Sequence, residues 1–247
     1  MLGFPEAIMI RNFSLRTFLP PLCAVGFVLG AAIPGQAAGD ELIVGGDMGS
    51  LEMWDPPSVP SSAKREIIDE NSVFVEVYSS NGKCVKLVDS PKLVHQKYMR
   101  QSISPGTGKL VWSFDYKRME GENDPQDGGF VVRLSSGGKS VIGVAIGNAV
   151  TVNAFHGKNS RVMKPPLHMR GVWYHFRAEL DLESQRVSAR LISELGDTFE
   201  FEEVNLVPAD GADASRVDEI TVGANNGAGP GYSQPILFDN FSLRPAQ

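Results

Sequence analysis

Three acidic residues at alternate positions, Glu179, Asp181 and Glu183, are the side chains in this sequence best suited to chemistry. Paired carboxylates act as general acid, general base or nucleophile when a glycosidic bond is cleaved. Residues two and four apart on an extended strand share one face, so the three side chains are predicted to point the same way. An open cleft on that face would indicate a glycan-cleaving enzyme, whereas a solvated face would indicate a binding or interaction domain.

The acids lie within Gly171–Ile192, a stretch with the pattern of a strand, a turn and a return strand. Apolar and polar residues alternate on both sides of the polar run 183–186, which is typical of a half-buried hairpin. Leu180 and Leu182 alternate with the acids, as they would in any such hairpin, and Glu183 falls in the predicted turn. The triplet therefore has a second interpretation, as the polar face of a hairpin.

Short strand-like segments separated by clusters of Gly, Pro, Asn and Asp fill most of the remaining chain. The 26 glycines and 16 prolines support many turns, and the 42% hydrophobic content is enough for a core. Lys109–Lys117 shows the clearest alternation, whereas Ala63–Glu70 alone has a helix-like pattern. About a dozen strands in one run predict an all-β domain, a two-sheet antiparallel β-sandwich or jelly roll.

The first 38 residues have the composition of a secretory signal peptide. Two arginines precede the apolar run Phe18–Ile33, which is followed by small residues. That run is short for a membrane span and contains two prolines, so a membrane anchor is the less favoured alternative. We therefore predict a signal peptide over 1–38 and one domain over 39–247 without a membrane span. The predicted location is secreted, extracellular or bacterial periplasmic.

Loss of this segment removes Glu6, Arg11 and Arg16, so the 23 basic and 29 acidic residues of the chain become 21 and 28, a formal charge of −7. No basic stripe remains to contact phosphates, which argues against nucleic acid as a partner. Cys84 is then the only cysteine, and it falls among the apolar residues of an alternating segment. This position predicts a buried structural thiol rather than a nucleophile.

Several phrases resemble the concanavalin A-like lectin/glucanase superfamily, especially its laminin-G-like and bacterial carbohydrate-associated members. They are Leu42–Asp47, Val111–Tyr116, Gly171–Phe176 and Leu237–Leu243. The resemblance covers most of residues 41–245. It implies a concanavalin A-like fold and glycan binding or cleavage on a sheet face or on edge loops, although the fold alone does not settle function.

The Glu-x-Asp-x-Glu spacing also resembles that of glycoside hydrolase family 16, the laminarinases and lichenases. That resemblance implies Glu179 as nucleophile, Glu183 as acid/base and Asp181 as the residue that tunes them. On a strand, the first and third acids are about 13 Å apart at Cα, and leaning side chains would have to close this to the ~5 Å of a retaining mechanism. The Trp-Pro phrase usual before the motif is absent, and Trp173–Arg177 stands in its place.

Carbohydrate-binding jelly rolls of this kind often tie their first and last strands together with Ca²⁺, and the resemblance implies Asp47 and Asp239 as ligands. Met48 and Gly49 stand where an aromatic residue and a Glu are often found, so one expected ligand is missing, with Glu52 as its substitute. A solvated turn is the alternative interpretation. No other cofactor is predicted.

Sugar recognition favours exposed aromatic rings beside polar groups. The candidate rings are Trp54, Tyr98 and Tyr232, because each lies in or beside a turn-rich stretch, and the amides of Asn225 and Asn226 precede the third. Packing of these loops against the sandwich is the alternative. As a whole, the sequence predicts a secreted, non-catalytic, lectin-like domain that binds a polysaccharide or other glycan. The alternatives are a laminarinase- or lichenase-type hydrolase and a structural or adhesion domain without a glycan site.

Overall fold

The described residues form thirteen β-strands in the computed structural model. The structure describes residues 41–57, 64–74, 81–88, 97–119, 129–147, 149–152, 161–163, 168–225 and 235–247. The chain divides into two units, Met1–Gln36 and Ala37–Gln247, and everything described below belongs to the second. The predicted signal peptide lies outside the described residues.

The strands follow one another with turns and loops between them. In chain order they are β1 (Lys64–Ile68), β2 (Cys84–Val88), β3 (Lys97–Thr107), β4 (Lys109–Arg118), β5 (Gly129–Ser136), β6 (Lys139–Ile146), β7 (Val150–Val152), β8 (Arg161–Met163), β9 (Trp173–Asp181), β10 (Arg186–Ser193), β11 (Thr198–Asn205), β12 (Arg216–Asn225) and β13 (Pro235–Pro245). The described ranges contain no helix, and hence none with the length and apolar character needed to cross a bilayer.

The strands form two sheets. One has seven strands in the order β1-β2-β13-β4-β9-β10-β11, and the other has six in the order β3-β12-β5-β6-β7-β8. Within each sheet, every pair of neighbouring strands is antiparallel. The two strands that follow all others in the chain take central places, because β13 pairs with β2 and β4 while β12 pairs with β3 and β5. The predicted two-sheet sandwich is confirmed.

Aromatic rings fill the core. Phe114 of β4 lies 5.0 Å from Phe176 of β9 and 5.7 Å from Phe241 of β13 between ring centroids. Phe130 of the six-stranded sheet lies 6.2 Å from Phe238 of the seven-stranded sheet, so the two sheets meet through these rings. All five rings are buried. Full burial of one such side chain stabilises the fold by about 1.5–3 kcal/mol. This gain explains why aromatic and other apolar residues occupy every second position of β4, on the face towards the core.

The helix predicted from Ala63–Glu70 is wrong. Lys64–Ile68 is strand β1, which pairs antiparallel with β2 and places Ile67 opposite Val85. Ile67 is half-buried and packs against the core. A single helical turn or two gains little by itself in water, so pairing with a neighbouring strand decides the conformation of this segment.

Candidate functional site

The acidic triplet does not share one strand. Strand β9 ends at Asp181, and residues 182–185 form the turn to β10. The Asp181 carboxylate accepts hydrogen bonds from the N–H groups of Glu183 (3.1 Å) and Ser184 (2.9 Å), and the Ser184 N–H holds the pKa of Asp181 below its ordinary value. Asp181 therefore builds the turn, as Asp side chains commonly do.

The two glutamates occupy different surroundings. Glu179 projects from the outer face of β9, where its side chain is 65% exposed and its Oε1 lies 3.6 Å from Nη2 of Arg177. Glu183 is exposed in the turn, next to Leu182, whose N–H donates to the carbonyl of Gly108 in the β3–β4 turn. The prediction that all three acids line one strand face is wrong, because the strand ends before Glu183. This arrangement does not favour catalysis by the triplet.

Two of the three predicted stacking rings are buried. Trp54 is 3% exposed and packs 5.4 Å from Phe241 between ring centroids, while Tyr98 is fully buried 5.5 Å from Phe130. The physical reason is that the side chain of Gln101 ties the loop before β1 to β3 through bonds to the carbonyls of Val44 and Met53. The prediction that these two rings are exposed is therefore wrong.

The remaining predicted sugar-binding residues lie at the boundary of the described chain. Asn225 is the last residue of β12. Its side chain, Asn226 and Tyr232 lie outside the described residues. Within the described ranges no aromatic side chain is exposed, and the rings nearest the surface are half-buried. Recognition through a fully exposed ring therefore gains no support from this part of the chain.

The predicted calcium ligands lie close enough to interact electrostatically. Asp239 is buried, and its carboxylate accepts hydrogen bonds from the N–H groups of Ser72 (2.9 Å) and Asn240 (2.8 Å). Burial raises its pKa to about 7, and the charges of Asp115 and Asp47 add to this rise. In the described parts of the chain no group of three or more His, Cys, Asp or Glu is placed to hold a metal ion. Calcium at Asp47 and Asp239 stays a prediction.

A groove on the outer face of the seven-stranded sheet was not predicted. It runs over β9, β10 and β11, has a volume of about 330 Å³, and is called the β9–β11 groove below. It is lined by Arg177, Glu179, Ser188, Ala189, Arg190, Glu200 and Phe201. The register of the strands creates it: small Ser188 lies opposite Glu179, and the ladder between β10 and β11 is irregular beside it.

The charges in this groove are unusually arranged. Arg190 of β10 lies directly opposite Arg177 of β9 on one side and Glu200 of β11 on the other. Like charges in directly opposed positions destabilise a sheet, so an arginine pair of this kind needs compensation from neighbouring anions or from a ligand. Glu179 and Glu200 supply acceptors beside the two guanidinium groups. The groove thus offers donors and acceptors around a small side chain, which suits a ligand rich in hydroxyl groups.

Comparison with known proteins supports the fold. No protein-family model matches the chain, and no curated protein is similar to it in sequence. The solved structure of the cellulose induced protein Cip1 aligns with a TM-score of 0.54 and 13% identity, over 80% of this chain and 93% of that one.

Two further solved structures align less well. Lectin I-B4 from Griffonia simplicifolia gives a TM-score of 0.47 and 11% identity, over 75% of this chain and 94% of that one. A sialidase gives a TM-score of 0.49 and 12% identity. The alignment covers 68% of this chain but only 16% of the sialidase. The chain is a concanavalin A-like jelly roll, so the resemblance predicted from its sequence is confirmed at the level of the fold.

Proposed function

We propose that this protein is a non-catalytic carbohydrate-binding domain that holds a glycan in the β9–β11 groove. The observation that carries the proposal is the opposed pair Arg177 and Arg190, bordered by Glu179 and Glu200 around the small Ser188. Sugar hydroxyls both donate and accept hydrogen bonds, so a lattice of alternating arginine donors and carboxylate acceptors can satisfy several of them at once.

The groove predicts binding of modest strength. Each hydrogen bond to a charged group contributes about 1.5–3 kcal/mol net, and the groove is open to solvent on one side. The side chain of Phe201 is half-buried and packs against the core on the other face of the sheet, so it offers no stacking surface in the groove. Recognition in this groove is thus carried by polar contacts.

The hydrolase alternative gains less from this geometry. Glu179 lines the groove, but Glu183 belongs to the β9–β10 turn and is not among the lining residues. Asp181 is engaged by the N–H groups of the same turn. A secreted location is proposed alongside glycan binding, because the predicted signal peptide would deliver the domain to where polysaccharides are found.

Affinity electrophoresis of the full chain in gels that contain soluble polysaccharides tests the proposal. We expect retardation by at least one polysaccharide of a panel of β-glucans, xylans and pectins. Arg190→Ala should weaken this binding about tenfold or more, since it removes a charged donor worth about 1.4 kcal/mol or more. Arg216→Ala is the matched control, because Arg216 is an exposed arginine on the other sheet and does not line this groove.

Two results would contradict the proposed function. One is equal retardation of the wild type and Arg190→Ala by every polysaccharide that binds. The other is release of reducing ends from a β-glucan that is lost in Glu179→Gln, which would support the hydrolase instead.

A further inference from the structure

A second groove lies on the opposite side of the sandwich, on the outer face of the six-stranded sheet. It has a volume of about 520 Å³, within the range of small-molecule sites, and is called the Glu219 groove below. One wall is the loop 207–210, which is held by a hydrogen bond from Ala209 N to the carbonyl of Ser140. The groove is therefore a built feature of the fold and is separate from the β9–β11 groove.

Glu219 is the central residue of this groove. It is 4% exposed, and its Oε2 accepts a hydrogen bond of 2.6 Å from Nε of Arg100. Its Oε1 is shielded from solvent and accepts no hydrogen bond from any described residue, and the cation of Lys97 lies 3.6 Å away. A buried carboxylate oxygen that accepts no hydrogen bond lowers stability by about 1–3 kcal/mol or more. A ligand that donates a hydrogen bond to this atom would remove that cost.

A second buried polar atom in the groove also makes no hydrogen bond to the described residues. The Oγ of Ser140 is buried and makes no hydrogen bond to the described part of the chain. Ser140 lies opposite Ser135, and Ser135 in turn lies opposite Glu219 across β5 and β12. Two polar atoms without a hydrogen bond to any described residue thus line one groove, on a single row of side chains that crosses three strands.

Two cationic side chains, Arg133 and Lys97, lie beside this row, and the acidic Asp210 lines the loop wall of the groove. Arg133 lies opposite Thr221, one row further along the same strands, and Lys97 lies across β12 on β3. Burial lowers the pKa of Arg133, which shows that its guanidinium has given up part of its hydration. A partly desolvated cation gains more from an anionic ligand than a fully solvated one does.

We propose that the Glu219 groove binds a saccharide that carries a carboxylate, a uronic acid unit. The sugar hydroxyls donate to Oε1 of Glu219 and pair with Ser140, while the carboxylate contacts Arg133 and Lys97. The side chain of Lys97 is 41% exposed, so it can turn from Glu219 to the ligand as a sugar hydroxyl takes its place. Bidentate pairing with a planar carboxylate is the contact to which a guanidinium is best suited.

Titration of the full chain with the free monosaccharides glucuronate and galacturonate, against glucose and galactose, tests this inference. Binding is followed by isothermal calorimetry and by chemical shifts of backbone amides. We expect the uronates to bind at millimolar concentrations or below and the neutral sugars about tenfold more weakly, a difference of about 1.4 kcal/mol. The largest shifts should fall on β5 and β12.

Three variants and one control identify the contacts. Arg133→Gln should abolish the preference for uronates, and Ser140→Ala should weaken both sugar classes, while Arg216→Ala should leave binding unchanged. Glu219→Gln should also weaken binding. That change removes the buried charge that pairs with Arg100, so Ser140→Ala and Arg133→Gln carry the test if the Glu219→Gln variant unfolds.

Three results would overturn the proposal. The first is the absence of chemical shift changes with either uronate, which would leave water as the partner of Glu219. The second is equal binding of neutral and acidic sugars, and the third is unchanged affinity in both Arg133→Gln and Ser140→Ala. The substitutions lie on the opposite sheet from Arg190, so failure here leaves the proposed function in the β9–β11 groove standing, and the reverse also holds.

Discussion

His175 Nδ1 lies 2.6 Å from Asp115 Oδ1, and both side chains are buried on the outer face of the seven-stranded sheet. The two residues are directly opposite each other on β9 and β4. The second oxygen of Asp115 accepts a hydrogen bond from Nδ2 of Asn240 (2.8 Å), and the ring of Phe74 packs against His175 with 5.5 Å between centroids. A buried polar network of this kind stabilises a fold only while each member has its partners.

Asp115→Ala is therefore expected to be strongly destabilising. It leaves the donors on His175 and Asn240 without their acceptor, so the free energy of unfolding should fall by about 3 kcal/mol. Urea unfolding followed by tryptophan fluorescence measures this. The matched control is Glu203→Ala, which removes an exposed ion pair with Arg186 and should cost about 0–1 kcal/mol. Similar costs for both variants would show that the buried network contributes no special stability.

Asp239 predicts a pH dependence of stability. Its pKa is raised by burial from 3.8 to about 7 in the folded state. Between these two values the folded chain binds more protons than the unfolded chain, so this residue's contribution to the free energy of unfolding falls as pH rises and then levels above pH 7. A shift of about three pKa units limits the loss to about 4 kcal/mol.

Asp239→Asn should remove this contribution. The wild type should lose stability relative to the variant as pH rises from about 4 to about 7, because Asn carries no titrating carboxyl. Urea unfolding of both proteins in matched buffers gives the difference at each pH. A constant difference across that window would contradict the raised pKa of Asp239.

Asn240 combines an unusual backbone with two side-chain bonds. Its φ is 51°, in the left-handed region, and its Nδ2 donates to Asp115 and to the carbonyl of Phe74 (2.9 Å). Asn240→Gly and Asn240→Ala both lose these bonds, but Ala also carries a left-handed backbone penalty of about 1–2 kcal/mol. We therefore expect Ala to unfold at lower urea than Gly. Equal stability of the two variants would mean that the backbone relaxes at this position.

Cys84 should be unreactive in the native protein. Burial, together with the negative charges of Asp239 and Glu70, raises the pKa of its thiol to about 12, so the reactive thiolate is scarce at pH 8. In a Cys23→Ser variant, Ellman's reagent should label Cys84 only after urea is added. Rapid labelling without urea would show that β2 opens readily in the native state.

The sequence predicts best those features that depend on local alternation. The strand at Lys109–Lys117 and the hairpin led by Trp173 are confirmed, because residues facing a core alternate with residues facing away. The exposure predicted for Trp54 and Tyr98 is wrong because Gln101 ties the loop that carries Trp54 to β3, the strand that carries Tyr98, and alternation along either segment does not indicate this contact.

The two grooves could not be predicted from the sequence, because strand register decides which residues line them. Arg177 meets Arg190, and Glu219 meets Arg100, only through the register of paired strands, and the second pair is separated by 119 positions in the chain. Alternation shows which side chains share the outer face, but it does not show which residue of the next strand lies beside each one. Asp115 and His175 illustrate the same limit. Their polar side chains predict a solvent-exposed outer sheet face, but both are buried in the structure, and Phe74 packs against His175.

The central positions of β12 and β13 have a consequence for how this chain reaches its fold. Until both strands have been synthesised, β2 and β4 lack their shared neighbour, as do β3 and β5, and each presents an unpaired edge. Contacts of such long sequence separation form slowly, because much chain entropy is lost before they give any stability. A chain that lacks these two strands is therefore a set of open strand edges without a sandwich, and this domain can fold only after β13 has been synthesised.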